Sequence, residues 1–260
     1  MAHVQQMDKN LFGESVVDKS LAIIKEFEPP EGYWLAFSGG KDSVVLLRLA
    51  EMAGVKFEAH HSVTTIDPPE LTRFMKREYP QVVWDMPDKS FFELCLSKGP
   101  PTTRGRWCCD ALKEIGGMGR RVLLGVRAAE SPRRSGYKIV NLCMKGGRKE
   151  TVSPILHWSD DDVWSFIHSE KIPYCHLYDE GFKRLGCVLC PMQSKKMVQI
   201  SKERWPRYWS MYRKVCDRVW ENREHSHAKY PTPDAFWGWL MGGVALTDER
   251  QVELDFDEQE

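Results

Sequence analysis

The hexapeptide Ser38-Gly39-Gly40-Lys41-Asp42-Ser43 constrains this chain more than any other segment. It joins a strand-like run, Tyr33 to Phe37, to an apolar helical run, Val44 to Ala53. Two adjacent glycines let the backbone turn without Cβ atoms, so that successive N–H groups can face an anion. The helix expected to open at Asp42 adds its unpaired N–H groups and the positive end of its dipole. Lys41 contributes a mobile cation, and Ser38 and Ser43 contribute hydroxyls. A loop of this kind holds phosphate. It is not a Walker loop, because the spacing G-x-x-x-x-G-K-[ST] is absent.

The flanking periodicity extends this reading into an α/β fold. Val17, Leu21, Ile24 and Phe27 fall at helical spacing before Pro29-Pro30. Phe57 to Val63, Val82 to Asp85 and Val122 to Val126 read as strands, and Pro69 to Tyr79 reads as a helix opened by proline. The alternation predicts a doubly wound, mostly parallel sheet with its ligand at the carboxyl ends of the strands. Tyr137 to Met144 and Glu150 to Pro154 look like two strands around Lys145-Gly146-Gly147, and Ser159 with Asp162 makes a capping box. A helical, aromatic, locally basic C-terminal region follows. The expected division is residues 1–192 for nucleotide binding and 193–260 for that helical region and an acidic tail.

Lys+Arg and Asp+Glu both number 37, so no global field draws in nucleic acid or anionic membrane, and a polyanion site must be a local patch. Neither a signal-peptide pattern nor an apolar run of membrane length is seen, which leads to an expectation of cytoplasmic localisation. Eight cysteines then point to metal ligands or chemistry before disulfides. Cys108 and Cys109 are adjacent, and Cys187 and Cys190 form a C-x-x-C before Pro191. Four thiolates suit an iron–sulfur cluster or a structural zinc. A vicinal pair must splay its side chains, which a larger cluster tolerates more easily than one small ion; unligated or redox thiols remain a third reading.

The hexapeptide resembles the SGGxDS signature of the PP-loop ATP pyrophosphatases, which cleave ATP to AMP and pyrophosphate. Further along, Trp107-Cys108-Cys109, Gly125-Val126-Arg127-Ala128-Ala129-Glu130-Ser131 with Arg133, Pro154-Ile155 with Trp158, Asp162-Val163-Trp164, and Cys187-x-x-Cys190-Pro191 resemble the phosphoadenosine-phosphosulfate (PAPS) reductase-like family. That family has the adenine nucleotide alpha-hydrolase-like fold, and the similarity covers roughly residues 33–192. The resemblance to its adenylyl-sulfate reductases implies a [4Fe–4S] cluster on Cys108, Cys109, Cys187 and Cys190. The same layout looks like the ATP pyrophosphatase of DNA phosphorothioation systems.

Two departures separate the branches. Sulfonucleotide reductases carry a degenerate phosphate loop, whereas this chain keeps all of SGGKDS. They also need a cysteine near the C-terminus, and Thr247 to Glu260 contains none. The expectation is therefore an ATP pyrophosphatase that adenylylates an acceptor for sulfur transfer, with ATP and Mg²⁺ held by Ser38, Gly39, Gly40, Lys41, Asp42 and Ser43. The alternatives are a sulfonucleotide reductase and a nucleotide- and cluster-binding sensor subunit. A nucleic-acid acceptor, a cysteine desulfurase as sulfur donor and a homo-oligomer are the partners this implies.

Arg127 follows a buried strand directly and could stabilise charge on the α-phosphate, or pair with Glu130; Arg133 and Arg134 lie close behind. Asp42 could hold Mg²⁺ or cap its helix, and Asp67 could contact nucleotide or cap the helix after Pro68-Pro69. Cys95, Cys143, Cys175 and Cys216 read as buried small hydrophobes. Met144 to Lys149 reads as a basic hairpin tip, either a solvated turn or a contact for a phosphate backbone. Trp205, Tyr208, Trp209 and Tyr212 fall on one helical face among many cations, a pattern more often core than a base-stacking surface.

Overall fold

The computed structural model describes residues 15–143, 149–222 and 229–242, without the side chains of Arg133 and Cys143. Lys145-Gly146-Gly147, Arg223 and the acidic tail lie outside the described residues. Six strands form one sheet in the order β3-β2-β1-β4-β6-β5. They are β1 (Tyr33–Ala36), β2 (Phe57–Ser62), β3 (Val83–Asp85), β4 (Arg121–Leu123), β5 (Val140–Cys143) and β6 (Lys149–Val152). Every pairing is parallel except β5 with β6, the hairpin expected from the sequence. The α/β class, with its doubly wound, mostly parallel sheet, is therefore as the sequence reads.

Strand β1 is central, and Tyr33, Trp34 and Leu35 are buried, as a strand covered on both faces requires. Helices α1 (Val16–Glu26), α2 (Lys41–Ala53), α3 (Pro69–Glu78) and α7 (Asp160–Ser169) belong to the same part of the molecule. Nine residues of α2 are buried, including Val44, Val45, Leu46 and Leu47, and Gly54 ends it in the left-handed conformation. Helix α1 opens with a reciprocal capping box between Ser15 and Asp18, and α7 with one between Ser159 and Asp162. The Ser20 hydroxyl donates to the Pro154 carbonyl at 3.0 Å and accepts from Trp158 Nε1 at 3.0 Å, sewing α1 to the chain after β6.

The chain divides into two compact units. The first holds the sheet and comprises residues 1–63, 67–86 and 110–186; the second comprises 64–66, 87–109 and 187–260. The second contains α4 (Phe91–Lys98), α8 (Lys195–Arg204), α9 (Pro206–Glu221) and α10 (Pro233–Leu240), while α5 (Trp107–Leu112) begins in it. Helix α4 also opens with a capping box, Ser90 with Glu93. Fully buried Phe91 lies against Trp107 and Tyr212, with ring centroids 5.9 and 5.7 Å away. Trp205, Trp209 and Tyr212 are buried and Tyr208 is half-buried, so the aromatic stripe is mainly core. Cys95, Cys175 and Cys216 are buried as expected.

Three local expectations change. Lys149 is buried rather than solvated: its ammonium donates to the carbonyls of Glu114 and Gly116 at 2.8 and 3.1 Å. Helix α2 begins at Lys41, with Gly40 as its N-cap and no side-chain cap, so Asp42 does not cap it. Helix α3 has Pro68 at its N-cap, also without a side-chain cap, so Asp67 is not its cap either. No helix among the described residues is long and apolar enough to cross a membrane.

The exit of β4 runs against the start of α2. A Cβ on Gly125 would lie 3.0 Å from the Asp42 carbonyl oxygen and 3.1 Å from its carbon. Backbone cannot yield there as a side chain would. Gly125→Ala is expected to destabilise the protein by about 1–3 kcal/mol, the range for overpacking. Urea unfolding followed by far-UV circular dichroism measures it.

Candidate functional site

In a doubly wound sheet the ligand crevice lies where connections leave in opposite directions, beyond the carboxyl ends of the strands. Here that point is between β1, which leads to neighbouring β2, and β4 on the other side. The loop Ser38–Ser43 leaves β1, and Arg127 follows β4 by four residues. The sheet therefore brings together groups more than eighty residues apart in sequence.

The loop is braced from within and from α3. Gly39 has φ +71°, and a Cβ there would meet Met75 at 2.6 Å and Leu71 at 2.9 Å, so glycine is required on both counts. The Ser38 hydroxyl is 3.3 Å from that of Ser43, which donates to the Gly40 carbonyl at 2.8 Å. Both hydroxyls thus hold the turn in shape. The Lys41 N–H, in the first turn of α2, donates to the Tyr178 hydroxyl at 2.9 Å.

Four charges meet beside the loop. Arg127 is 2 % exposed; its Nε donates to Asp42 Oδ1 at 2.6 Å and its Nη2 to Asp160 Oδ1 at 2.5 Å. Its Nη1 reaches the Trp158 carbonyl at 3.3 Å. Lys41 Nζ lies 3.5 Å from Asp42 Oδ2 and 3.4 Å from Asp160 Oδ1. Arg127 and Lys41 each touch both carboxylates, forming a closed ring of alternating sign. The two aspartates hold the Arg127 guanidinium above its ordinary pKa against the opposing effect of its burial. Burial would raise the Asp160 carboxyl, but Lys41 and Arg127 outweigh that and hold it below its usual range.

Glu130, the alternative partner for the Arg127 guanidinium in the sequence, is taken elsewhere. Glu130 accepts the Arg127 backbone N–H at 3.1 Å, pairs with Arg134, and lies 3.6 Å from Arg184. A cavity of about 340 Å³ opens here, lined by Lys41, Arg127, Ala129, Glu130, Asp160, Lys183 and Arg184. Four cations against two carboxylates suit an anionic ligand. Asp160, Tyr178, Lys183 and Arg184 had not been singled out. The acidic run Asp160-Asp161-Asp162 after an N-cap serine was a usable signal for Asp160. No comparable signal marked the tyrosine. The side chain of Arg133 lies outside the described set.

Asp67 stands apart from this ring. Its carboxylate is 3.6 Å from Nε2 of buried His61, whose Nδ1 donates to the Phe37 carbonyl at 3.1 Å. His60, on the other face of β2, stacks on Trp34 and reaches Asp85 at 3.2 Å.

The four cysteines of the two pairs all belong to the second compact unit and are half-buried. The backbone closes the C-x-x-C turn with Cys190 N–H on the Cys187 carbonyl at 3.3 Å, while Val188 N–H donates to the Ile66 carbonyl at 2.8 Å. The Cys108 thiol is pushed up first by its hydrogen bond with Cys109, then by burial and by the like charges of Cys109, Cys187 and Cys190. The four sulfurs therefore share one neighbourhood. Among the described residues no three His, Cys, Asp or Glu side chains form a group positioned to hold a metal ion. Four thiols are the donor set of a thiolate-ligated cluster, and a bound cation would favour the deprotonation that their burial and proximity oppose. Magnesium needs fewer protein ligands, one or two carboxylates beside the phosphates, and Asp42 with Asp160 provides that number.

Removing the guanidinium would leave Asp42 and Asp160 with Lys41 as their one remaining shared cation. Arg127→Ala is expected to destabilise the protein by about 3 kcal/mol, near the lower end for a broken buried pair because Asp160 is exposed, and Arg127→Lys by less. Because the folded Asp160 carboxyl titrates below its unfolded value, its contribution is fully present above pH ~4 and disappears as pH falls through the folded value. The stability gap between wild type and Asp160→Asn is therefore expected to be constant at neutral pH and to narrow below pH ~4 in urea titrations.

The phosphoadenosine phosphosulfate reductase domain profile matches residues 32–193. Two uncharacterized proteins of Methanocaldococcus jannaschii are similar to this chain: one is 28 % identical over 79 % of this chain and 45 % of its own length, the other 30 % identical over 87 % and 57 %. Adenosine 5'-phosphosulfate reductase 2 of Bacillus subtilis is 29 % identical over 52 % of this chain and 61 % of its own. The chain spans about half the length of the first curated relatives it matches. Among solved structures, the phosphate complex of phosphoadenylyl-sulfate reductase from Candida auris superposes with a TM-score of 0.50 at 16 % identity, covering 70 % of this chain and 97 % of that one, a likeness of fold alone. By the match of its phosphate loop, the strand that leads to Arg127 and both cysteine pairs, this chain belongs to the phosphoadenosine phosphosulfate reductase domain family.

Proposed function

We propose that this chain binds ATP and directs attack of an acceptor oxygen on its α-phosphorus, forming an adenylylated acceptor and releasing pyrophosphate. The supporting observation is the intact loop, braced by its own hydroxyls, with Lys41 and Arg127 facing a cavity rich in cations. Lys41 would offset the charge that builds on the departing pyrophosphate, and the Arg127 fork would steady the α-phosphate. Asp42 and Asp160 keep both cations in place and would hold Mg²⁺, which adds charge neutralisation when bound. A sulfur nucleophile would then displace AMP from the acceptor. Family resemblance makes a nucleic acid a candidate acceptor and a cysteine desulfurase a candidate sulfur donor.

Cys108, Cys109, Cys187 and Cys190 would hold a [4Fe–4S] cluster, with zinc as the other candidate. A cluster there would supply a redox-active iron centre. With all four thiols engaged no coordination position stays open for sulfide, so sulfur would come from elsewhere.

A second reading is a sulfonucleotide reductase, and the names of several curated relatives favour it as strongly. Binding separates the two. Anaerobically purified protein is expected to bind Mg·ATP more tightly than adenylyl sulfate or PAPS by calorimetry. Ser38→Ala is expected to weaken Mg·ATP about tenfold, the size of one lost hydrogen bond to a charged group, and Asp42→Ala, which removes a Mg²⁺ ligand and releases Arg127 and Lys41, by at least as much. Preference for a sulfonucleotide, unaffected by those substitutions, would assign the chain to the reductases.

A further inference from the structure

We infer that Tyr178 is a binding residue for the pyrophosphate end of the nucleotide, its hydroxyl accepting the Lys41 N–H and donating its own proton to a phosphate oxygen. This inference rests on the ATP reading above and adds to the loop a group that lies outside it in sequence.

A phenol has one O–H donor and two acceptor sites. The 2.9 Å bond from the Lys41 N–H uses one acceptor site. Among the described residues the O–H itself reaches no acceptor. The hydroxyl sits over the loop: a Cβ on Gly40 would be 3.4 Å from it. Its position is fixed by the ring, which packs edge-on against Trp164 at 5.2 Å and lies 6.5 Å from Tyr174. Asp42 and Arg184 are the charged side chains near enough to influence it, and burial keeps the phenol protonated throughout the physiological range. A half-buried, protonated donor with no protein acceptor, held above a phosphate loop, is a place for an anionic oxygen.

The arrangement also explains how the first-turn amide contributes. A Lys41 N–H already engaged cannot reach phosphate itself. Through the hydroxyl its polarity is passed outward by one further hydrogen bond, and a donor that is itself hydrogen-bonded as acceptor becomes a stronger donor. The contact falls on the phosphates at the helix N-terminus and leaves the nucleoside untouched.

The test is calorimetric binding of Mg·ATP, Mg·pyrophosphate and AMP to wild type, Tyr178→Phe and Ser38→Ala, with thermal melting as the control for folding. Tyr178→Phe keeps the ring and its packing. It is expected to weaken Mg·ATP and Mg·pyrophosphate about tenfold and to leave AMP affinity unchanged, with melting lowered only by the loss of the acceptor for the Lys41 N–H and the protein still folded. Unchanged Mg·ATP affinity, or equal losses for ATP and AMP, would overturn the assignment while the ATP reading stands. Failure of wild type to bind Mg·ATP at all would overturn both.

Discussion

The Arg127 guanidinium, enclosed between Asp42 and Asp160, is the interaction on which the rest of the site depends. It ties three separate pieces of the sheet-bearing unit: the exit of β4, the first turn of α2 and the first turn of α7. A buried cation is tolerable only when its charge and its donors are met, and each of its three nitrogens has an acceptor. Because Lys41 touches the same two carboxylates, the loop lysine and the strand arginine are oriented by shared partners. An anion entering the cavity meets cations already in place, and little reorganisation is required of them.

This neutral ring also shapes how phosphate can be recognised. Neither aspartate can be lost without freeing a cation to move, and neither cation without exposing carboxylate to the ligand. The surplus positive charge comes from the cavity rim, at Lys183 and Arg184, rather than from the ring. Orientation and attraction are thus assigned to different residues. The Gly-Gly turn adds a third element, because its close approach to Met75 and Leu71 fixes the loop against α3 without any charge.

Much of this was legible in the sequence. The glycine pair, the apolar run of α2 and the short strands are local signals, and they placed the loop and the sheet class correctly. The partners of Arg127 were not legible, because the pairing with Asp42 and Asp160 is a product of strand order. Sequence proximity offered only Glu130 as an alternative, and that carboxylate is taken by Arg134 and Arg184. Helices α4 and α5 escaped notice because they are short and lack a clear apolar period, although Ser90 with Glu93 was an available start signal for α4. Lys149 was misread from composition: a lysine beside Gly-Gly suggests solvent, yet its ammonium finds two backbone carbonyls.

Three of the helices, α1, α4 and α7, begin with the same reciprocal serine–acid bond closed within four residues. Such a bond needs no distant partner, so each helix can find its first residue while the chain is still largely unfolded. The parallel sheet has the opposite character, since β1 must meet β4 across nearly ninety residues before either edge is complete. Closing that gap is slow by its nature. The chain therefore decides early where these three helices start and late how its strands are ordered. The phosphate loop, whose strand depends on that order and whose helix α2 has no side-chain cap and relies on packing, becomes a working site only at the second of those two moments.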